Sequence, residues 1–306
     1  MKEYQTTIKS PFSLAGAGLH TGKYTNTTIL PAEADTGIVF RRIDLTPVVT
    51  IPALADLVTD TNHGTTVTSA GVSVSTIEHL MSALHGMRID NAIVEVDGPE
   101  IPILDGSARL WVDGIVKSGV FTQNAPRNYY RIEQHIEWQD QKSGVELCAE
   151  PAEDFSVECE IVFSSKLIGT QSASLSSYDE YREGISICRT FVFLHEVEQL
   201  LALNLIKGGD LDNALVFVDK PLGDEEKSRL AALYGKDKSS IQVRNGVLNT
   251  VEPFFDNEPA RHKLLDFIGD IYLCGKLLQG HFKLRCPGHH ANTELAKIIR
   301  SHIIKQ

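Results

Sequence analysis

A polar stripe beside an apolar face, in the predicted helical segment Arg261 to Asp270, strongly constrains how this chain can fold. Residues four apart on a helix lie above one another, so His262, Asp266 and Asp270 share one face. Beside the stripe lie residues that would face a core: Leu264, Leu265 and Ile268. Burying the polar groups there is costly unless a partner compensates them. A divalent metal is such a partner, because a histidine and an aspartate at this spacing supply two ligands from one helix. The alternative is a solvated face with an ion pair to Lys263.

A second polar pair, Glu78 and His79, lies at the start of another predicted helix. Ser75, followed three residues later by Glu78, matches the capping-box pattern, and apolar residues follow at helical spacing. Glu78 therefore has two interpretations, a helix cap or a carboxylate base beside a metal. Catalytic zinc usually has three protein ligands and a water, and His79 with His262 and Asp266 would complete such a set. Glu78 would then accept the proton of that water.

A Pro-Gly turn precedes two adjacent histidines, His289 and His290, and a helix predicted to begin near Thr293. A helix N-terminus disfavours a histidinium, so a charged histidine at this place requires a nearby carboxylate. Asp270, the last member of the polar stripe, is the candidate. One of the two histidines could then be a general acid, while the other would be a surface residue.

These clusters belong to a series of motifs that spans the chain from Thr7 to about Arg300. The motifs are Gly18–Gly22, Ser75–Leu80, Ile89–Asn91, Pro99–Ser107, Arg189–Phe191, Lys207–Gly209, His262–Asp270 and Gly288–His289. With these motifs the chain resembles the zinc-dependent UDP-3-O-acyl-N-acetylglucosamine deacetylase family of the lipid A pathway in Gram-negative bacteria. The resemblance implies an α+β fold, with two α/β sandwich domains packed on each other and the metal site between them.

The resemblance also implies one catalytic Zn²⁺ held by three ligands: His79, His262 and Asp266. Glu78 matches the family's general base, and His289 matches its general acid and oxyanion partner. Asp270 would orient His289, and Thr190 would help to bind the reacting carbonyl. His290 has no counterpart. Fe²⁺ is the alternative ion, because the sequence does not fix the metal.

The implied substrate is UDP-3-O-acyl-N-acetylglucosamine, whose N-acetyl group would be hydrolysed to acetate in the committed step of lipid A biosynthesis. The expected substrate contacts are Lys263, Phe163, Phe191, Leu19 and Gly209. Phe163 would stack on the uracil. An insert near 193–219 would form a hydrophobic passage for the acyl chain. Its apolar side chains could equally be core residues: Val197, Leu200, Leu201, Ile206, Leu211 and Val216.

Two positions depart from the family pattern. His63 stands where some members carry a cysteine able to touch a second, inhibitory metal, and a histidine is also a competent ligand. Val192 stands where some relatives have glycine. The second departure bears on the shape of the acyl passage rather than on the chemistry.

The order of predicted elements divides the chain into two α+β halves. Runs of strands followed by helices favour a layered α+β arrangement over a parallel doubly wound sheet. The predicted domains are 1–121 and 129–306, each carrying part of the site, joined by a polar linker at 122–128. The segment Ile89–Asp97 resembles Leu211–Asp219. We interpret this echo as a similar turn leading into a strand, not as evidence of repeated domains.

Composition excludes several other classes of protein. The formal net charge of −11 argues against nucleic-acid binding. No run approaches the roughly 18 apolar residues of a membrane span, and the N-terminus lacks a secretory signal. Five cysteines without C-x-x-C spacing are expected to be reduced core thiols. The resemblance implies a cytoplasmic, monomeric protein, related to a branch in which the deacetylase is fused to a C-terminal acyl-carrier-protein dehydratase.

Two other functions fit parts of the pattern. Two histidines and a carboxylate also describe an Fe(II) oxygenase triad, but there the carboxylate lies close to the first histidine. Here it follows the second histidine by four residues. A catalytically inactive paralogue that binds the nucleotide-sugar lipid would keep the fold, although every catalytic candidate is present. Metal-dependent acetate release distinguishes the three functions.

Overall fold

The first half of the protein is built on a five-stranded sheet. The computed structural model describes residues 3–197, 207–209, 213–233, 235–248 and 252–305. The sheet contains β2 (Phe12–Ala17), β3 (Tyr24–Pro31), β4 (Ile38–Arg42), β5 (Val49–Pro52) and β9 (Ala92–Val96). Their order is β2–β3–β9–β4–β5, and only β4 and β9 are parallel. Alternate residues of β3, β4 and β9 are buried, as expected for strands with one face against a core.

The second half is built on a similar sheet. Its strands are β12 (Ile136–Asp140), β13 (Val145–Glu150), β14 (Phe155–Val162), β15 (Thr170–Leu175) and β20 (Leu278–Arg285). They run in the order β12–β13–β20–β14–β15, and β11 (Tyr130–Arg131) pairs with β20. Of the five main strands only β14 and β20 are parallel. The α+β fold class predicted from the sequence is thus confirmed.

The two sheets share one topology. In each sheet, two antiparallel hairpins come first along the chain, and a strand from later in the sequence lies between them, antiparallel to one neighbour and parallel to the other. By this correspondence β9 matches β20. The sequence echo between Ile89–Asp97 and Leu211–Asp219 does not mark this repeat. The described part of the second segment contains β17 (Leu215–Phe217), which belongs to a different, smaller sheet.

The described residues also form three smaller sheets. Their members are β1 (Tyr4–Ile8) with β10 (Val120–Pro126), then β6 (Val58–Asp60), β7 (Thr66–Ser69) and β8 (Val72–Val74), then β16 (Phe191–Phe193), β17, β18 (Val243–Arg244) and β19 (Val247–Leu248). The predicted linker at 122–128 overlaps β10, whose backbone pairs with β1. The polar composition that indicated a linker here belongs mostly to an exposed strand. The domain limits placed on either side stay a prediction.

Helices lie between and beside the two main sheets. They are α1 (Glu78–Gly86), α2 (Arg109–Ser118), α3 (Tyr181–Gly184), α4 (Asp224–Leu233), α5 (Glu258–Ile271) and α6 (His289–Lys305), with 3₁₀ turns at Ala55–Leu57, Tyr178–Glu180, Lys238–Ser240 and Tyr272–Cys274. Within the described ranges, no helix is long and apolar enough to cross a membrane. Helix α6 begins at His289, four residues before the predicted start, because the chain turns into the helix directly after Gly288.

The contact between α1 and α5 joins the two halves. Every residue of α1 is buried, and α5 packs on β14 and β15 of the second sheet. At Gly269 the helices touch backbone to backbone, since a β-carbon there would lie 2.1 Å from the carbonyl oxygen of Glu78. Nearby, the buried His85 on α1 donates from Nδ1 to the carbonyl oxygen of Ile268 on α5 at 2.8 Å. Burial lowers the pKa of His85 to about 4, so this link between the helices is uncharged.

Replacing Gly269 with Ala should push the two helices apart. The added methyl group would meet main-chain atoms, which cannot move aside, so the free energy of unfolding should fall by about 3 kcal/mol, as for an overpacked core. Gly223→Ala is the matched control, because a β-carbon there meets only a carboxylate oxygen of Glu226 at 3.8 Å. Urea unfolding followed by circular dichroism measures both variants. Equal stability of the two would contradict the close contact.

Candidate metal centre and catalytic site

Ligand atoms of three buried side chains converge where α1 meets α5. The Nε2 atoms of His79 and His262 lie 3.6 Å and 3.3 Å from Oδ1 of Asp266. Candidate ligand atoms of all three residues lie within 4.8 Å of one another. His79 is the second residue of α1, and the other two lie one turn apart on α5. The structure therefore brings together the three residues predicted as metal ligands, one from the first half and two from the second.

The bonding around these side chains fits a divalent metal ion. Oδ1 of Asp266 is buried and has no hydrogen-bond partner among the described residues, while its Oδ2 accepts from Nζ of Lys263 at 2.8 Å. A buried oxygen without a donor is costly, and a metal ion would compensate it. Nδ1 of His262 donates to the carbonyl oxygen of Cys188 at 3.1 Å. This bond leaves the Nε2 lone pair for a metal, as in metal-binding histidines generally.

Charge and burial set the protonation states that metal binding requires. Burial lowers the pKa of His262 to about 3, so its imidazole is neutral. Burial by itself opposes ionisation of Asp266, but the neighbouring Lys263 ammonium holds the pKa of its carboxyl well below the usual range. Burial also disfavours the Lys263 ammonium, yet the Asp266 carboxylate raises the pKa of that lysine. A neutral imidazole and an ionised carboxylate are the forms that bind zinc.

Glu78 does not cap α1. The helix begins at Glu78 itself, without a side-chain cap, and the hydroxyl of Ser75 donates to a backbone carbonyl in a neighbouring loop at 3.2 Å. The capping-box prediction is therefore wrong. The reason is local, because Thr76 adopts a positive φ of 57° that turns the chain between Ser75 and the helix. Oε2 of Glu78 accepts instead from the backbone N–H of Thr65 at 2.9 Å.

His289 lies at the N-terminus of α6 and contacts Asp270. Nδ1 of His289 is 2.9 Å from Oδ2 of Asp270, a fully buried carboxylate. Burial alone would lower the pKa of His289, but Asp270 raises it to about 9. The expected pairing of these two residues is thus present in the structure. His290 is exposed, and its ring packs edge to face on Trp138 with the ring centroids 5.7 Å apart.

Two residues of this network, Thr65 and Asn292, were not predicted from the sequence. The Thr65 hydroxyl donates to Oδ1 of Asp270 at 2.6 Å, and its backbone N–H holds Glu78. Nδ2 of Asn292 donates to Oδ2 of Asp270 at 2.9 Å. Asn292 follows His289 by three residues on one helix, a spacing that could have indicated it. Thr65 lies 205 residues from Asp270 along the chain, so no local sequence pattern could have indicated it.

A cavity of about 320 Å³ opens beside the metal-ligand cluster. Its lining includes predicted catalytic, metal and substrate residues: Leu19, Glu78, His79, Thr190, Phe191, Gly209, His262, Lys263, Asp266 and His289. His63, Val192, Val197 and Val216 also line it. Phe163 is not among its described lining residues, and its ring packs against Phe191 with centroids 5.6 Å apart. The other predicted passage residues lie outside the described part of the chain: Leu200, Leu201, Ile206 and Leu211.

Known proteins are similar in sequence to this chain over nearly its whole length. The model of the family described as "LpxC: UDP-3-O-acyl N-acetylglycosamine deacetylase" matches residues 5–232 and 230–301. The chain belongs to this deacetylase family. It is 39% identical over 296 residues to the UDP-3-O-acyl-N-acetylglucosamine deacetylase of Teredinibacter turnerae, covering 96% of this chain and 89% of that protein. For the enzyme of the same name from Phenylobacterium zucineum the identity is 41%, over 97% of this chain and 93% of that protein.

Some relatives of this chain are bifunctional enzymes. The chain is 44% identical over 299 residues to the bifunctional enzyme LpxC/FabZ of Porphyromonas gingivalis, which covers 98% of the chain. The chain spans less than two thirds of the bifunctional relatives that it matches, between 64% and 65% of their length.

The His289–Asp270 pair should be visible in an NMR titration of the imidazole. His289 should lose its proton near pH 9 in the unaltered protein. In Asp270→Asn the pKa should fall, because burial remains while the largest compensating charge is gone. A pKa raised on folding stabilises the protein fully below pH 6.5, and this stabilisation is lost as the pH rises through about 9. The urea midpoint should therefore fall across that window, and less so in Asp270→Asn. A His289 pKa near the ordinary value of 6.5 in both proteins would contradict the pairing.

Proposed function

We propose that the protein is a zinc-dependent deacetylase of UDP-3-O-acyl-N-acetylglucosamine, which releases acetate and UDP-3-O-acyl-glucosamine. The names of the relatives support this substrate. The proposal rests on one observation. A three-ligand cluster, the Glu78 carboxylate and the His289 imidazolium all line the same cavity. In this role the protein would act in the cytoplasm, at the committed step of lipid A biosynthesis.

The ligand set leaves room for catalysis at the metal. Two imidazoles and one carboxylate are a common protein ligand set of catalytic zinc, in which a further position stays open. Zinc held by His79, His262 and Asp266 would lower the pKa of a water towards ~7 and polarise the amide carbonyl. Fe²⁺ remains the alternative ion, since nitrogen and oxygen donors accept both.

Glu78 is the proposed general base. One of its carboxylate oxygens is fixed by the Thr65 N–H at 2.9 Å, and the side chain lines the cavity beside the ligands. The other oxygen can then accept the proton of the water that attacks the acetamide carbonyl. Because the backbone of Thr65 fixes the carboxylate, little reorientation is needed for this proton transfer, which favours catalysis.

His289 is the proposed general acid. Its Nδ1 is engaged by Asp270, so the Nε2–H of the imidazolium is the group that can stabilise the oxyanion and then protonate the departing amine. A pKa raised to about 9 keeps this proton in place at neutral pH. Thr190 lines the same cavity and is proposed as a second donor to the oxyanion.

The cavity also suggests how the substrate is held. Leu19, Phe191 and Val216 supply apolar lining for the acyl chain. Lys263 also lines the cavity, although its ammonium donates to Asp266 at 2.8 Å. We propose that Lys263 has two roles: it holds the ligand carboxylate in place and offers positive charge to the substrate. Phe163 would act through Phe191, on which its ring packs.

Acetate release from UDP-3-O-acyl-N-acetylglucosamine tests this proposal. The purified protein should release acetate, lose the activity on dialysis against a chelator and regain it with Zn²⁺. Glu78→Gln keeps the size and the hydrogen bond to Thr65 but cannot accept the proton, so turnover should fall by about 10²-fold or more with metal content unchanged. Near-normal turnover of the variant would overturn the role of Glu78. No acetate release by the zinc-loaded protein would overturn the function and favour an inactive substrate-binding paralogue.

A further inference from the structure

A second cluster of metal-ligating side chains lies on the second sheet, away from the candidate active site. His135, Cys148 and Glu150 offer an imidazole nitrogen, a thiol sulfur and a carboxylate oxygen, all within 4.8 Å of one another. None of the three lines the cavity beside the catalytic cluster. The three donors come from different residue types, so the group is not simply an acidic surface patch.

Strand register explains why these side chains meet. In the β12–β13 hairpin, Glu137 pairs with Cys148, and the preceding pair, Ile136 with Ala149, brings the start of β12 towards Glu150. His135 directly precedes β12 and so comes opposite Glu150. Successive side chains on a strand alternate between faces. The neighbours of Cys148, which are Leu147 and Ala149, point into the core, and Cys148 and Glu150 therefore share the outer face.

The outer face is open to ions from solution. It forms a shallow cavity of about 750 Å³ whose lining includes His135, Glu137 and Cys148. The side chain of His135 is 51% exposed, and Cys148 is only partly buried. The expectation that all five cysteines are core thiols is thus wrong for Cys148, as it is for Cys286. The hydrophobic alternation of β13 places position 148 on the solvent side, so core packing does not account for the thiol.

The charges next to the cluster are two carboxylates and the Lys283 ammonium. Glu137 and Glu150 each bring a carboxylate, and Oε2 of Glu137 lies 3.1 Å from Nε2 of His135. Lys283 on β20 donates to one oxygen of Glu150 at 2.7 Å, which leaves the other oxygen as a ligand. Thiolate and imidazole donors together favour zinc and other borderline transition ions, whereas magnesium and calcium prefer oxygen donors alone.

We propose that His135, Cys148 and Glu150 form a second metal site, for Zn²⁺ or a similar divalent transition ion, with Glu137 as a fourth donor. The ion would replace the thiol proton of Cys148. It would join the segment before the edge strand β12 to the neighbouring strand β13. The site shares no residue with the catalytic cluster, so it stands independently of the proposed deacetylase activity.

Cobalt titration tests the site with a probe that reports the sulfur ligand. A thiolate bound to Co²⁺ gives a near-ultraviolet charge-transfer absorption that imidazole and carboxylate ligands do not give. Protein that already holds its catalytic zinc, kept reduced with a phosphine, should show saturable absorption of this kind. Cys148→Ser should abolish it. His135→Ala should weaken cobalt binding at least about tenfold, the smallest effect expected from loss of a metal-site partner.

Cys286→Ser is the matched control, because Cys286 is the other partly exposed cysteine of the chain. Its absorption should equal that of the unaltered protein. Glu150→Gln is a second ligand variant that keeps side-chain size, and it too should weaken binding. The proposal is overturned if the unaltered protein gives no charge-transfer absorption, if Cys148→Ser retains it, or if Cys286→Ser loses it. Cobalt binding to His135→Ala as tight as to the unaltered protein would show coordination by a lone thiol and overturn it as well.

Discussion

The backbone contact between α1 and α5 is the constraint on which the rest of the site depends. Gly269 lacks a side chain, and a β-carbon at this position would lie 2.1 Å from the carbonyl oxygen of Glu78. The contact therefore fixes the start of α1 against the middle of α5. His79 reaches Asp266 only because the helices approach so closely. Each helix belongs to one of two halves with the same sheet topology, so the candidate centre forms where two similar units meet.

Polar groups buried at this junction are held by one another. Along α5, Asp266 lies beside the two imidazoles, while Asp270, one turn later, accepts from Thr65 and Asn292 and contacts His289. Buried carboxylates are stable only with such partners. Two oxygens at this junction lack a hydrogen-bond partner among the described residues, Oδ1 of Asp266 and Oδ1 of Asn292. One helical stripe thus supplies both the candidate metal site and the carboxylate that keeps His289 charged.

Local patterns predicted much of this site because its key residues follow helical spacing. The polar stripe of α5 was visible in the sequence, and so was the proximity of Asp270 to a histidine at a helix start. The capping box failed because the backbone of Thr76 takes a positive φ that no spacing reveals. Thr65 joins Glu78 to Asp270 through long-range contacts, which only the folded chain shows.

The repeat of the two halves was also hidden in the sequence. The corresponding central strands, β9 and β20, are defined by pairing rather than by similar residues. The visible sequence echo instead involves β17, in another sheet. In the same way, the cluster around Cys148 depends on cross-strand register. His135 and Cys148 are not close together in the sequence, so no metal-binding motif indicated that they would meet.

Metal analysis of ligand variants can show whether the contact between α1 and α5 assembles one metal site from both halves. Purified His79→Ala, Asp266→Ala and the exposed-histidine control His290→Ala would be compared by plasma mass spectrometry after identical zinc loading, in a Cys148→Ser background that removes the second proposed site. We expect His79→Ala and Asp266→Ala both to lose the bound zinc, while His290→Ala keeps it. Full zinc occupancy in both ligand variants would contradict this expectation.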